Sequence, residues 1–122
     1  MKKLNTQQTL IQIARLYTDH PKLHTRHTFA RNKDSKFVHP TSDDACQFCV
    51  SGLLLRMEGE NLIDRNTRLN AVLRLEAAAR EKMRCASVVR LNDRHGRNAV
   101  IRIAAAAANI TVPIRASKLT GA

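Results

Sequence analysis

Three cysteines are the residues of this chain whose type most readily suggests chemistry. Cys46 and Cys49 form a C-x-x-C pair, and Cys85 follows much later. With a histidine such as His39 or His95, they would supply the ligands of a tetrahedral zinc site. A strong zinc signature has two closely spaced ligand pairs, and here the second is a lone Cys85. The C-x-x-C pair also falls inside a predicted helix, where free cysteines pack as small hydrophobic residues. We therefore expect core packing and no metal or other cofactor, with a zinc-binding structural module and redox chemistry as the alternatives.

Histidines and one polar turn are the other groups with catalytic potential. The candidates are His24, His27 and His39 in a basic segment, and Asn92, Asp93 and His95 near a glycine. No serine, cysteine or carboxylate lies at a diagnostic spacing from these histidines. A polar turn such as the one at Asn92, Asp93 and His95 commonly caps the helix that follows. Because no nucleophile, base and oxyanion donor can be assembled with specificity, we expect a binding protein and not an enzyme.

The excess of basic residues is the feature most informative about a partner. Twenty-one Lys and Arg face ten Asp and Glu, a formal charge of +11 in 122 residues. Residues 1–40 carry +6, residues 41–83 carry −1 and residues 84–122 carry +6. Two basic ends therefore flank a neutral middle. Such a charge raises self-repulsion and favours an anionic partner.

Arginine outnumbers lysine fourteen to seven, and its planar guanidinium suits bidentate contact with phosphate or carboxylate. The leading interpretation is contact with nucleic acid or a nucleoprotein complex; the alternative is an acidic surface of a host protein. Aromatic residues are scarce, which favours duplex or structured RNA over unstructured single strands. The candidate contacts are Arg26, Arg31, Lys33, Lys36, Arg90, Arg94, Arg97 and Arg102.

Targeting signals are not evident in the sequence. Polar residues follow Met1 where a secretory signal would have an apolar segment. The longest stretch of low polarity, 103–108, is far shorter than the ~20 residues that cross a bilayer. The three cysteines also suit a reducing compartment. We therefore expect no membrane partner and a location in the cytoplasm of a bacterial cell or a phage-infected host.

The arrangement of apolar residues predicts an all-α fold, a compact bundle of about four main helices in one domain, 1–110. Asn5 and Gln8 form a capping pattern that starts a first helix at about 6–18. Pro40 and the acidic residues after Thr41 predict a central helix at about 42–58, ended by Gly59.

The remaining segments are predicted from the same patterns. A third helix at about 62–84 would bury Leu62, Leu69, Val72, Leu73 and Ala79. The short segment 87–91 is either extended or helical, and an alanine-rich helix follows at about 97–109. Residues 21–40 form a basic loop, and residues 111–122 are predicted to be a mobile basic tail.

Between Phe29 and Ile110 the chain resembles a family of small bacterial and phage proteins of unknown function. The matching pieces are Phe29-Ala30-Arg31, Pro40-Thr41, Phe48-Cys49 with Gly52-Leu53-Leu54, and Asn92-Asp93 with Gly96-Arg97. The resemblance implies a helical domain and a microbial or phage source, and it transfers no catalytic residue. By analogy with small phage proteins, it adds an inhibitor of a host complex, such as an anti-CRISPR protein, as an alternative function.

Overall fold

The computed structural model describes residues 2–109, and helices dominate this part of the chain. They are α1 (Thr6–Asp19), α2 (Val50–Gly59), α3 (Arg65–Met83), the short α4 (Val88–Arg90) and α5 (Gly96–Ala107). A 3₁₀ turn (Pro21–Leu23) follows α1, and a π-helical turn (Leu91–His95) joins α4 to α5. Within the described residues, the strands are only β1 (Ala30–Arg31) and β2 (Gln47–Phe48). The prediction of an all-α bundle is confirmed, while the predicted tail at 111–122 lies outside the described residues.

The first helix begins at the predicted place because its cap is local. The Asn5 side chain accepts a hydrogen bond from the backbone N–H of Gln8 at 2.8 Å, and the Gln8 side chain accepts one from the Asn5 N–H at 2.9 Å. This reciprocal pair satisfies two of the donors that a helix start leaves free. The apolar residues of α1 recur on one face of the helix, where Leu10, Ile13 and Tyr17 are fully buried.

The second helix is shorter than predicted. It begins at Val50 and not at residue 42, because the preceding segment pairs with the loop as β2. β1 and β2 are antiparallel, with Ala30 opposite Phe48, and the Cys49 N–H donates to the Phe29 carbonyl at 3.2 Å. Cys49 itself caps α2, since its Sγ accepts from the Gly52 N–H at 3.3 Å. The acidic residues after Thr41 lie in turns outside the helix.

The end of α2 and the start of α3 also differ from the prediction. Gly59 is the last residue of α2, and Asn61 takes the left-handed conformation just beyond it. α3 begins at Arg65 because the Asp64 carboxylate accepts from the Thr67 N–H at 2.7 Å. A local side-chain cap therefore sets this boundary, as it does for α1.

The face that the third helix turns to the core was predicted only in part. Ala79 is buried as predicted, and Leu62 and Val72 are partly buried against the core. Ala71, Leu75 and Ala79, spaced by four residues, are fully buried. Leu69 and Leu73, which were predicted to be buried, are 41% and 63% exposed. Apolar residues occur around most of this helix, so its sequence does not specify which side is covered. The small side chains of Ala71 and Ala79 permit close packing, and that packing decides the face.

The core lies mainly where α5 packs against α1 and α3. α5 contributes a run of small and branched residues, among them Ala99, Val100, Ile103 and Ala104, all of them buried. The Gln7 side chain donates to the Ala108 carbonyl at 3.0 Å and so joins the two ends of the described chain. The predicted last helix at 97–109 is confirmed to within two residues at either end.

After a non-helical link at residues 84–87, the segment between α3 and α5 is helical from Val88 up to a break at Gly96. The Ser87 hydroxyl caps α4 by accepting from the Arg90 N–H at 3.0 Å. α4 then widens into the π-helical turn, a local structure often found at functional sites. Gly96 has φ 83° and ψ −172°, a conformation essentially restricted to glycine, and it redirects the chain into α5.

Candidate functional site

A buried asparagine connects three segments of the chain. Asn92 lies in the π-helical turn and is 1% exposed. Its Oδ1 accepts from the Val50 N–H at 3.0 Å and from His24 Nε2 at 2.8 Å. Its Nδ2 donates to the Thr25 carbonyl at 2.9 Å and to Asp93 Oδ1 at 3.0 Å. The amide thus uses its full set of hydrogen bonds to fix the basic loop, the start of α2 and the π-helical turn relative to one another.

The next residue, Asp93, holds the basic loop in place. Its Oδ1 accepts from the His27 backbone N–H at 2.9 Å, and its Oδ2 lies 3.6 Å from His27 Nδ1. His27 has φ 68°, a left-handed conformation that is uncommon for any residue other than glycine. Asp93 does not cap the helix that follows, as residues of such turns commonly do. It stabilises a strained residue of the loop 66 positions earlier in the chain.

A pocket of about 270 Å³ opens between the loop and the turn. Phe29 and Val89 are large apolar side chains on its wall, and both are about half exposed. Asn92 and Asp93 supply the polar end. Such a combination of an apolar wall and a few convergent polar groups is typical of ligand sites. The lining residues are His27, Thr28, Phe29, Cys49, Val89, Asn92 and Asp93.

Cations from both basic ends of the sequence lie beside this pocket. The exposed Arg26 donates to the Asp93 carbonyl at 3.2 Å. Its guanidinium packs so closely on Gly96 that a Cβ there would lie 2.3 Å from Nη2. Arg90 and Arg94 are exposed on α4 and the π-helical turn, four positions apart. Neither makes an ion pair or a side-chain hydrogen bond within residues 2–109, so both guanidinium groups are available to a ligand.

The other predicted contacts divide into structural and exposed residues. Arg31 uses its guanidinium to bind the Thr25 hydroxyl at 2.8 Å and the Ser35 carbonyl at 3.0 Å, and it lies over the Phe37 ring. Arg97 donates to the Tyr17 carbonyl at 2.7 Å, near the end of α1 where a cation is favourable. These two arginines therefore contribute to folding.

Arg102 and the two lysines lie elsewhere. Arg102 is half-buried on α5, and its Nε has no hydrogen-bond partner among the described residues. Lys33 and Lys36 are exposed in a turn closed by the hydrogen bond from the Asn32 N–H to the Lys36 carbonyl at 3.0 Å. None of the three residues lines the pocket.

The cysteines occupy different environments. Cys49 and Cys85 are buried, as predicted, but Cys46 is exposed because it precedes β2 and is not part of a helix. All three are free thiols. Within residues 2–109, no group of three or more His, Cys, Asp and Glu side chains is arranged to hold a metal ion. Burial raises the pKa of the Cys49 thiol, and the nearby Asp93 adds to the effect, although backbone N–H groups at the start of α2 oppose it.

His24 and Tyr17 pack beside Asn92, where the basic loop, α2 and the π-helical turn meet. Burial lowers the pKa of His24, and the neighbouring Arg26 and Arg97 lower it further, against the hydrogen bond to Asn92. The ring of His24 packs edge-on against that of Tyr17, whose hydroxyl donates to the Phe48 carbonyl at 2.8 Å. Burial also raises the pKa of Tyr17 well above its usual value. Both groups are therefore neutral and structural at pH 7.

Sequence reasoning did not identify this pocket, because its residues come from three separate parts of the chain. Phe29, Cys49 and Asn92 each belong to one of the pieces on which a resemblance to small bacterial and phage proteins was predicted. Their membership of these pieces was the signal available in the sequence, while their meeting at a single site is seen only in the fold. Nothing in the local pattern around any one of them indicates a pocket.

Comparisons of the chain with protein-family models, with curated proteins and with solved structures found no match. Among residues 2–109, no helix is both long enough and apolar enough to cross a bilayer.

Proposed function

We propose that this protein is a non-enzymatic binding protein that contacts nucleic acid, alone or within a nucleoprotein complex, through a basic junction surface. We define the junction surface as the exposed Arg26, Arg90 and Arg94 together with the start of α5. These arginines come from opposite ends of the sequence, and the hydrogen bonds of Asn92 and Asp93 bring their segments together. Arginine is well suited to the geometry of phosphate.

The contact between Arg26 and Gly96 is the observation that carries the proposal. The guanidinium of Arg26 lies against the first residue of α5, where the helix dipole places a partial positive charge. No side chain in the described part of the chain caps this helix start. The full charge of the exposed Arg26 beside this partial charge makes the region favourable for an anion such as phosphate.

The environment of Cys49 supports binding over catalysis. A reactive cysteine is usually a partly exposed thiol with a lowered pKa. Cys49 is buried, its pKa is raised, and its Sγ accepts from the Gly52 N–H as a helix cap. These features are those of a structural thiol.

Titration of labelled duplex DNA and of a structured RNA with the purified protein tests the proposal. If about five phosphates are neutralised, raising salt from about 50 to 200 mM should weaken binding by roughly a few hundred-fold, because each contact releases condensed counterions. Arg94→Glu should lower affinity for all sequences alike and reduce the salt dependence by about one contact.

Arg80→Glu is the matched control, since Arg80 is also exposed but lies on α3. It should weaken binding much less than Arg94→Glu. No saturable binding of either nucleic acid up to tens of micromolar protein would contradict the proposal and favour an acidic protein partner. Equal effects of the two reversals would show that net charge, and not the junction surface, is responsible.

A further inference from the structure

We infer that the pocket beside the junction surface receives the base of one unstacked nucleotide, preferably a base with an exocyclic amino group. This inference rests on the proposed function and names the part of the ligand that the pocket takes. The base can belong to an unpaired position of a structured RNA or to a free mononucleotide, and the experiment below distinguishes these two sources.

The size of the pocket suits a small group. Its volume of about 270 Å³ lies just under the ~300 Å³ at which pockets for drug-sized ligands begin. A single heterocyclic ring system is of this order, whereas a base pair or a helical protein segment is not. A duplex can therefore reach the pocket only by presenting an unpaired base.

The wall of the pocket offers an aromatic surface for stacking. Phe29 lines the pocket and is 51% exposed, although burial of its ring would be favourable. The half-exposed Val89 lines it as well. Unpaired bases of RNA commonly stack on such aromatic side chains. Phe29 is the one phenylalanine that lines the pocket, and one ring matches one base, which fits the scarcity of aromatic residues in the chain as a whole.

The polar end of the pocket leaves one hydrogen-bond acceptor free. Asn92 has no remaining capacity, and Asp93 Oδ1 already accepts from two N–H groups. Asp93 Oδ2 accepts no hydrogen bond within residues 2–109, since His27 Nδ1 lies 3.6 Å away. A free carboxylate oxygen pairs with an amino group, as aspartate does with the N4 amino group of cytosine. Uracil lacks an amino group and flanks its N–H with two carbonyl oxygens, which a carboxylate would repel.

The phosphate of the same nucleotide has cations within reach. Arg26 binds the carbonyl of Asp93 at 3.2 Å, and Arg94 is the next residue of the chain. A guanidinium therefore lies close to the residue that supplies the free acceptor. A nucleotide combines an amino-bearing ring with an anion, and it meets both features at once.

The experiment uses RNA hairpins that differ at one bulged position: cytidine, uridine or an abasic site. The abasic hairpin should bind wild-type protein about 5- to 150-fold more weakly than the cytidine hairpin, the usual contribution of one stacked base. The uridine hairpin should bind at least about fivefold more weakly than the cytidine hairpin. These comparisons leave the protein unchanged, so no folding defect can explain them.

Phe29→Ala then tests the stacking surface, and Phe37→Ala is its matched control. Phe37 is a more exposed phenylalanine of the same loop that does not line the pocket. Phe29→Ala should weaken the cytidine hairpin, but by less than base removal does, because base removal also loses the hydrogen bond to Asp93. It should leave the abasic hairpin within about twofold, because that hairpin has no base to stack. Phe37→Ala should change neither affinity by more than about twofold. The melting temperature of each variant serves as the folding control.

The possible results separate the two proposals. If no hairpin binds, the proposed function fails. If all hairpins bind alike with strong salt dependence, the junction surface binds backbone only and the inference about the pocket is wrong. Equal binding of cytidine and uridine overturns the preference for an amino group. Cytidine monophosphate that binds and competes for the pocket, with no tighter binding of the hairpin, identifies a free nucleotide as the source.

Discussion

The helical core and the junction surface are stabilised by different interactions. Where α5 packs on α1 and α3, the contacts are apolar, and residues such as Ile13, Leu75 and Ile103 are fully or almost fully buried. At the junction, a buried amide and a carboxylate join segments about 67 residues apart in the sequence. Packing tolerates many apolar sequences of suitable volume, whereas a buried polar network requires each of its members. We therefore expect substitutions to affect the two regions in different ways.

Truncation in the core should have the largest effect and tests the observed face of α3. Leu75→Ala removes a fully buried side chain and should lower the free energy of unfolding by about 2–5 kcal/mol. Leu73→Ala, two residues away on the exposed face, should change it by less than about 0.5 kcal/mol. Urea denaturation followed by circular dichroism measures both. A larger effect for Leu73 than for Leu75 would return α3 to the orientation predicted from the sequence.

Removal of the junction amide should have the next largest effect. Asn92→Ala leaves the Val50 N–H and the Thr25 carbonyl without their partner, and each unsatisfied buried group costs about 1–3 kcal/mol. The effect should be local, because the apolar core remains intact. Hydrogen exchange should therefore accelerate at Val50 and His27 more than at amides of α5.

Asn98→Ala is the control for this variant, because Asn98 is exposed on α5 and makes no side-chain hydrogen bond among the described residues. It should leave both stability and exchange nearly unchanged. Uniform acceleration across all helices in Asn92→Ala would instead mean that the junction and the core unfold together.

The difference between local and long-range interactions explains how far the sequence could predict the structure. α1 was predicted correctly because its cap, Asn5 with Gln8, consists of neighbours. The start of α2 was misplaced because Asp43 and Asp44 resemble a helix start, while pairing with residues 30–31 holds the chain extended up to Cys49. That pairing is tertiary, and no local propensity contains it.

The candidate site was predictable only in part, for a related reason. The excess charge at both ends indicated the sign of the partner, and Arg26, Arg90 and Arg94 were among the predicted contacts. The sequence could not distinguish Arg90 and Arg94, unpaired among the described residues, from the structural Arg31 and Arg97, because the distinction depends on which carbonyl oxygens lie nearby in the fold. The pocket needs residues from three segments, and periodicity describes one segment at a time.

The smallest expected effect is the change in unfolding free energy with pH, and it tests whether His24 at the junction titrates. Burial and two nearby arginines lower the pKa of His24 in the folded state, so the unfolded state binds a proton more readily. The stability contributed by neutral His24 is present above its unfolded pKa of about 6.5 and is lost as pH falls below that value toward the lowered folded pKa. The folded state favours the ionised form of Asp64, whose pKa is lowered mainly by its hydrogen bonds to Thr67. Its contribution to stability is also lost on acidification, but only near pH 4 and below.

The two contributions therefore fall in separate pH windows and can be measured separately. Between about pH 7.5 and 5, the unfolding free energy of the wild type should decline with acidification, and His24→Gln should flatten that decline because glutamine keeps a donor for Asn92 but does not titrate. His20→Gln is the control, since His20 is exposed at the end of α1. A decline that survives in His24→Gln, or one that His20→Gln removes equally well, would place the titrating group outside the junction. Loss of the decline in His24→Gln alone would show that the polar junction, and not the apolar core, makes the fold sensitive to mild acid.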